Sequence, residues 1–380
     1  MSVMLGRVMM IAGEASGDLH GSGVVRELKS RLPAVDVFGV GGDRMKAEGM
    51  ELVHHISGLS FMGFMEVLKN LSTINELGRK LEALLDARRP DVVVLIDYPG
   101  FNLRFAKKAK QLNIKVLYYI SPQVWAWHKG RVKKMRSLVD RMKVVFPFEV
   151  EIYKNEGIDV EFVGHPLAES IGSQISRDEF FSVNGFDREK KLLALLPGSR
   201  KQEIENIFPT MLETAARLKQ ELGIQVAVGV APNLGSEFLR GFVSEPAGVT
   251  LVEHATYDVM AHADAAIVTS GTATLETGWF GTPMAVVYKT SPVTYSIGRM
   301  LVGVPYIGLV NIVAGEKIVP EFVQKDMNVQ NITHEMKKQL ADAAYAGNLR
   351  SRLSVLKARL GTSGASAKVA EGIIALGRAG

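Results

Sequence analysis

Residues 266–283 read Ala-Ile-Val-Thr-Ser-Gly-Thr-Ala-Thr-Leu-Glu-Thr-Gly-Trp-Phe-Gly-Thr-Pro. An apolar, β-branched run, Ala266 to Val268, breaks at Gly271 into a helix-compatible segment. A strand that turns through glycine into a helix presents backbone N–H groups and the positive end of the helix dipole to an open site. Ser270, Thr272 and Thr274 can add hydroxyls without blocking it, and Glu276, one turn in, can take both hydroxyls of a ribose. A diphosphate carrying a sugar suits this geometry. An ordinary strand–turn–helix with a serine cap fits the same residues, and this stretch alone leaves both readings open.

Outward from it, short β-rich runs alternate with helical stretches along the chain. Strands are expected at Arg7–Ala12, Val35–Val40, Asp91–Ile96, Lys115–Ile120, Met142–Phe146 and Val160–Val163. A second series follows at Lys191–Leu196, Gln225–Val230, Val249–Val252, Ala265–Val268 and Met284–Val287. Near-continuous apolar runs such as Val92-Val93-Val94-Leu95-Ile96 point to parallel sheets covered on both faces. Strands interleaved with helices imply right-handed βαβ units. The expected class is therefore α/β, with two doubly wound, Rossmann-like domains and a cleft between them. Gly164-His165-Pro166 marks the boundary, giving domains 1–165 and 166–349, and a helix from about 350 to 380 could return to the first.

At 380 residues and 47% hydrophobic content, the chain has enough apolar material for two cores. With no cysteine, disulfides, thiolate metal sites and a cysteine nucleophile are excluded, which fits a reducing cytosol. No stretch reaches the roughly 18–20 apolar residues that span a bilayer; the nearest, Met300 to Ala314, is broken by Gly303, Pro305 and Gly308. Residues 79–143 carry 16 basic and 5 acidic side chains. Such a field attracts nucleic acid, anionic lipid or a phosphorylated substrate, but no nucleic-acid-binding motif accompanies it. Next to it, Phe61, Met62, Phe64, Met65, Val67, Leu68, Leu71 and Ile74 form an apolar stripe wider than a core helix requires. This stripe is read as membrane-facing, with a buried helix as the alternative.

Other loops carry polar residues suited to chemistry. Gly13-Glu14-Ala15-Ser16-Gly17-Asp18-Leu19-His20 follows the first strand without the G-x-G-x-x-G spacing of dinucleotide sites. Its acids would repel phosphate, so Gly13, Glu14, Ser16 and His20 are read as contacts to sugar hydroxyls. Asp97-Tyr98-Pro99-Gly100-Phe101-Asn102 ends a buried strand, and Asn102 is read as a further acceptor contact. Pro99 and Gly100 would force the turn that aims Asp97 outward, making Asp97 the leading general base, with Asp18 second. Arg104 and Lys107 should lower the Asp97 pKa while burial raises it. Trp125 and Trp127 sit beside Lys129 and Arg131, a pairing suited to a sugar ring or acyl chain. Gly198-Ser199-Arg200 opens a helix, with Ser199 and Gln202 at capping-box spacing. Arg200 there would meet a diphosphate together with Ser270, Gly271 and Thr272.

These motifs, in this order, together with Gly164-His165-Pro166-Leu167 and Ser121-Pro122-Gln123-Val124-Trp125-Ala126-Trp127, resemble the lipid-A-disaccharide synthase family, inverting glycosyltransferases of the GT-B fold. The resemblance runs to about Asn328. It implies transfer from UDP-2,3-diacylglucosamine to 2,3-diacylglucosamine 1-phosphate (lipid X), giving a β-1,6-linked lipid A disaccharide and UDP. By the resemblance, Asp97 matches the candidate catalytic carboxylate, Arg200 the arginine of the diphosphate site, and Asn311 another nucleotide-sugar position. No metal or cofactor is expected. An enzyme on the cytoplasmic face of the inner membrane, peripheral on anionic phospholipid, is implied, and a homodimer stays open. A UDP-sugar 2-epimerase and a non-catalytic membrane-surface nucleotide-sugar or lipid binder are the rival readings.

Overall fold

The computed structural model describes residues 5–58, 71–122, 130–232, 234–243, 248–291, 295, 305–361 and 363–378. The chain divides into two units, 1–169 with 361–380, and 170–360. The helices Ala343–Leu353 and Val355–Leu360 belong to the second unit, and only Ala365–Arg378 returns to the first.

The first unit is built on a seven-stranded parallel sheet in the order β3-β2-β1-β4-β5-β6-β7. Its strands are β1 (Arg7–Ala12), β2 (Asp36–Gly41), β3 (Glu51–His55), β4 (Val92–Ile96), β5 (Lys115–Tyr119), β6 (Arg141–Val144) and β7 (Val160–Phe162). The six strands of the second unit are β8 (Leu192–Leu196), β9 (Gln225–Gly229), β10 (Val249–Val252), β11 (Ala265–Thr269), β12 (Met284–Tyr288) and β13 (Glu321–Val323). They pair in parallel in the order β10-β9-β8-β11-β12-β13. Every residue of β4 and β8 and all of β11 are buried, which is why those sequences are apolar without alternation. The edge strands β3 and β13 escaped the sequence reading: exposed on one side, Glu51-Leu-Val-His-His and Glu321-Phe-Val lack the apolar run.

In both sheets the winding reverses direction, between β1 and β4 in the first and between β8 and β11 in the second. Loops leaving the carboxyl ends of such neighbours diverge and leave a crevice, the usual place for ligands in open α/β sheets. The Gly13 and Asp97 loops flank one such point, and the Gly198 and Ser270 loops flank the other.

The helix Leu71–Arg88 corrects one expectation. Ile74, 5% exposed, is packed in the first-unit core. It begins a stripe that continues through Leu77, Leu81 and Leu85, all buried in that core, so a helical period read as membrane-facing at Ile74 is a core face. Phe61, Met62, Phe64, Met65, Val67, Leu68 and the Leu71 side chain lie outside the described residues.

The returning helix Ala365–Arg378 packs on the helix Ala15–Arg31 and is capped from outside its own sequence. Glu169 accepts from Gly364 N–H (2.9 Å), Ser366 N–H (3.0 Å) and the Ser366 hydroxyl (2.5 Å). The two N–H groups would otherwise be unpaired donors at a helix start. Glu169→Ala is expected to cost about 1–2 kcal/mol, the scale of a lost cap, lowering the urea midpoint and exposing the last helix to protease. Glu169→Gln, which keeps an acceptor oxygen, should recover part of it. A wild-type midpoint in the alanine variant would show that the last helix is held by apolar packing alone.

Candidate functional site

At the first reversal, β1 and β4 run in register to their ends, with Ala12 opposite Ile96. The chain leaving β4 turns through two consecutive residues in the left-handed region, Asp97 (φ 45°) and Tyr98 (φ 47°). Neither is glycine, so each carries strain of order 1–3 kcal/mol that neighbours must hold in place. The clamp is on the Asp97 carbonyl, which accepts from the Tyr118 hydroxyl (2.6 Å) and Asn102 Nδ2 (2.7 Å), while Asp97 N–H donates to Tyr119 O (3.0 Å). The turn is therefore made at Asp97 and Tyr98. Pro99 sits at the first position of the following helix and Gly100 is helical, contrary to the sequence expectation that they make the bend.

Burial decides the protonation of Asp97. It pushes the carboxyl up to about 6, the charge of Glu14 adds to the rise, and the Tyr98 N–H opposes it. Arg104, expected to hold the value down, instead donates from Nε to Gly100 O (3.0 Å). A carboxylate that is ionised at neutral pH yet more basic than usual has the character of a general base.

The surrounding residues divide into those open to a ligand and those committed to the backbone. Glu14 and Ser16 are exposed at the start of the helix Ala15–Arg31. Gly13 is a steric requirement of the protein itself: a Cβ there would lie 2.3 Å from Tyr98 Cγ. His20 is half-buried, edge-on to His165 with ring centroids 6.4 Å apart. Burial drives its pKa down to about 4, so it offers a neutral imidazole. Asn102 is fully buried and its amide nitrogen holds the carbonyls of Ile96 and Asp97. It shapes the turn and is not presented to an acceptor, which corrects its assignment as an acceptor contact. Asp18 is corrected as well. Its carboxylate, 5% exposed, accepts from Gly42 N–H (2.7 Å), Arg44 N–H (3.2 Å) and Met45 N–H (3.0 Å), tying the start of the helix Asp43–Ala47. Its lone pairs are committed to backbone donors and are not presented to a substrate hydroxyl. Trp125 and Trp127 lie outside the described residues.

At the second reversal, Leu196 of β8 lies opposite Val268 of β11. Gly198 (φ 102°) turns the chain into the helix Lys201–Leu222, with Arg200 at its cap position rather than a Ser199 capping box. The Arg200 guanidinium is 60% exposed and its Nη1 meets Glu203 Oε1 at 3.0 Å. Next to it, Gly271 adopts φ 153°, which a side chain would resist, and has open space where a Cβ would stand. The helix Thr272–Trp279 begins there with no acid in its first turn. Ser270 Oγ donates to Ile307 O (2.7 Å), fixing the loop. Glu276 accepts from the Tyr257 hydroxyl (3.2 Å), and burial raises its pKa. A helix start without acids and an exposed arginine are groups that can hold an anion.

Asn311, expected at the nucleotide sugar, is corrected. It is fully buried: Nδ2 donates to Val319 O (2.9 Å) and Glu321 Oε1 (2.8 Å), and Oδ1 accepts from Ile318 and Val319 N–H. Its amide therefore organises the 308–321 segment. Elsewhere in the second unit Ser173, His262 and Asp258 cluster, but the connectivity is not that of a nucleophile. Asp258 accepts from the Ser173 hydroxyl itself (2.7 Å), and His262 Nε2 lies 2.9 Å from Ile175 O, so it donates rather than accepts. Among the described residues no group of acids and histidines could hold a metal ion.

Comparison with known proteins bears on the family and the fold. The family model described as Lipid-A-disaccharide synthetase matches residues 8–372. A lipid-A-disaccharide synthase of Geobacter sulfurreducens is 44% identical over 366 residues, covering 96% of this chain and 95% of that one. One from Geobacter metallireducens is 43% identical over the same length, again 96% and 95%. Among solved structures, a UDP-GlcNAc 2-epimerase from Neisseria meningitidis bound to UDP-GlcNAc has a TM-score of 0.66 at 14% identity, covering 97% of this chain and 100% of that one. The calicheamicin glycosyltransferase CalG4 has a TM-score of 0.63 at 17% identity, covering 98% of both chains. The structural likenesses establish the GT-B fold alone, while the sequence relationship goes further: the chain belongs to the lipid-A-disaccharide synthase family.

Proposed function

We propose that the chain joins UDP-2,3-diacylglucosamine to 2,3-diacylglucosamine 1-phosphate, releasing UDP and forming the β-1,6-linked lipid A disaccharide 1-phosphate. The observation that carries this reading is Asp97, a basic carboxylate held in a strained, clamped turn at the reversal point of a parallel sheet. Asp97 takes the proton of the acceptor 6-hydroxyl as its oxygen attacks C1 of the donor sugar. The bond from C1 to the diphosphate oxygen breaks on the opposite face, the configuration inverts, and UDP leaves with the electron pair. Negative charge grows on the diphosphate as this happens, and the N–H groups at Gly271–Thr272 and the Arg200 guanidinium are the groups suited to stabilise it. Glu276 is assigned to the ribose hydroxyls. In this scheme positive charge comes from the protein, so no metal is required.

The location follows the substrates, which are acylated. No described helix is long and apolar enough to cross a membrane, and residues 79–143 carry 16 basic against 5 acidic side chains. These features support a protein working at the cytoplasmic surface of the inner membrane, attracted to anionic lipid.

Asp97→Asn should lower kcat by roughly 10²- to 10⁴-fold, the contribution of a general base, with the KM for the UDP-sugar little changed. In the wild type, kcat/KM should fall as pH drops through about 6, because the base must be ionised and protonation of Asp97 removes it. A variant with near-normal kcat would move the base to another acid. Arg200→Ala should lower kcat/KM by roughly 10- to 100-fold, the worth of one charge-assisted contact to phosphate, and weaken UDP binding in calorimetry. Unchanged UDP affinity and turnover would remove Arg200 from the site. Chelator should leave the rate unchanged, and complete dependence on Mg²⁺ would contradict the metal-free scheme. Co-sedimentation with anionic vesicles should weaken as salt rises, since exposed charge is screened within a Debye length of roughly 10 Å at 0.1 M. Wild-type protein indifferent to such vesicles would end the membrane assignment.

A further inference from the structure

The loops that leave the sheet at the first reversal each carry an acid, Glu14 and Asp97, and the transfer chemistry uses only one. Because Ala12 and Ile96 are paired in the sheet, Gly13-Glu14 and Asp97-Tyr98 leave it side by side. The Tyr98 ring lies so close over Gly13 that no side chain fits there, which fixes the backbone of Glu14 against the strained turn. Glu14 occupies the cap position of the helix Ala15–Arg31, yet its side chain accepts no hydrogen bond from that helix. Its charge falls instead on Asp97 and Tyr98.

That placement has an electrostatic consequence. The helix Ala15–Arg31 points its positive end at the strand ends, and a positive end stabilises nearby anions and weakens them as bases. A carboxylate at the cap position offsets that effect. Among the described residues, the titratable groups that face Asp97 are Glu14 from the first loop, Tyr98 beside it and Tyr118 from β5, whose hydroxyl donates to the Asp97 carbonyl. Arg104, from the helix Pro99–Gln111, acts on Tyr98 and is bonded to Gly100 O. The Tyr98 N–H opposes Glu14, and among the described residues no cation balances it at Asp97.

We propose that Glu14 is a positioning residue for the transfer: its negative charge, held at the end of β1 beside the end of β4, makes Asp97 a stronger proton acceptor. The proposal rests on the reading of Asp97 as the base. It accounts for an exposed acid at a helix start that caps nothing. It also separates the acids of the first loop by role, with Asp18 tying backbone and Glu14 setting charge.

The test is the pH dependence of kcat/KM for the full-length protein with both acylated sugars, comparing wild type, Glu14→Gln and Glu14→Asp. Titration of the acceptor phosphate is common to all three and cancels in the comparison. In Glu14→Gln the acid limb should move to lower pH by roughly half a unit, the size of one like charge removed at a partly solvated site. Glu14→Asp should restore most of the wild-type limb, which a merely structural role would not do. Glu14 is exposed, so the variants should fold as wild type by circular dichroism. An acid limb that stays in place in Glu14→Gln would overturn the proposal while leaving Asp97 as the base. Loss of turnover as complete as in Asp97→Asn would also overturn it, by making Glu14 the proton acceptor. Failure of the underlying reading looks different: Asp97→Asn itself would then keep its rate and its acid limb.

Discussion

A parallel strand covered by helices on both faces disfavours uncompensated polar side chains along its length. Burying an unpaired polar group costs roughly 1–3 kcal/mol by mutational measures. The constraint is visible in β4 and β11, where every residue is buried, and it pushes chemistry to strand ends. Of those ends, only the ones where the winding reverses have loops that diverge. Asp97 ends β4, and Ser270-Gly271 follows β11, the two strands that flank the reversals. The positions of the site loops follow from the sheet orders before any ligand is considered.

The same constraint explains which parts of the site were legible in the sequence. Apolar runs gave the strands of both sheets except the half-exposed edges β3 and β13, whose sequences carry no such run. Glycine followed by a helix start gave the turns at Gly198 and Gly271, because the backbone angles there demand glycine. The roles of buried polar residues were not legible. Asp18, Asn102 and Asn311 look in sequence like ligands at loop positions, and each turns out to satisfy backbone groups that the strand ends leave open. A ligand contact and a backbone clamp need the same residue types, so only geometry separates them. Ile74 shows the matching ambiguity for apolar residues: a helical stripe states that one face is covered, and not by what.

Asp18 and Asp97 make the point quantitative in direction. Both are acids close to the carboxyl ends of neighbouring strands. Asp18 receives three backbone N–H bonds, which occupy its lone pairs. Asp97 gives its carbonyl, not its carboxylate, to the clamp from Tyr118 and Asn102. Its side chain keeps its capacity, and burial makes it basic. The fold thus spends one acid on architecture and leaves the carboxylate of the other outside that clamp.

The two helix starts divide the remaining work by charge. Thr272–Trp279 begins with small hydroxyl residues and no acid, next to Arg200, so the positive end of its dipole is available to an anion. Ala15–Arg31 begins with Glu14 at its cap and Asp18 in its first turn, so its positive end is already answered from within the chain. On the proposed reading, the same dipole physics with opposite local charge favours a diphosphate at the second unit and disfavours it at the first. The acids that repel phosphate from the first unit are also what a proton acceptor needs around it, since a nearby positive end would have weakened Asp97 as a base. On the proposed reading, the acids at one helix start and their absence at the other sort proton transfer from leaving-group stabilisation.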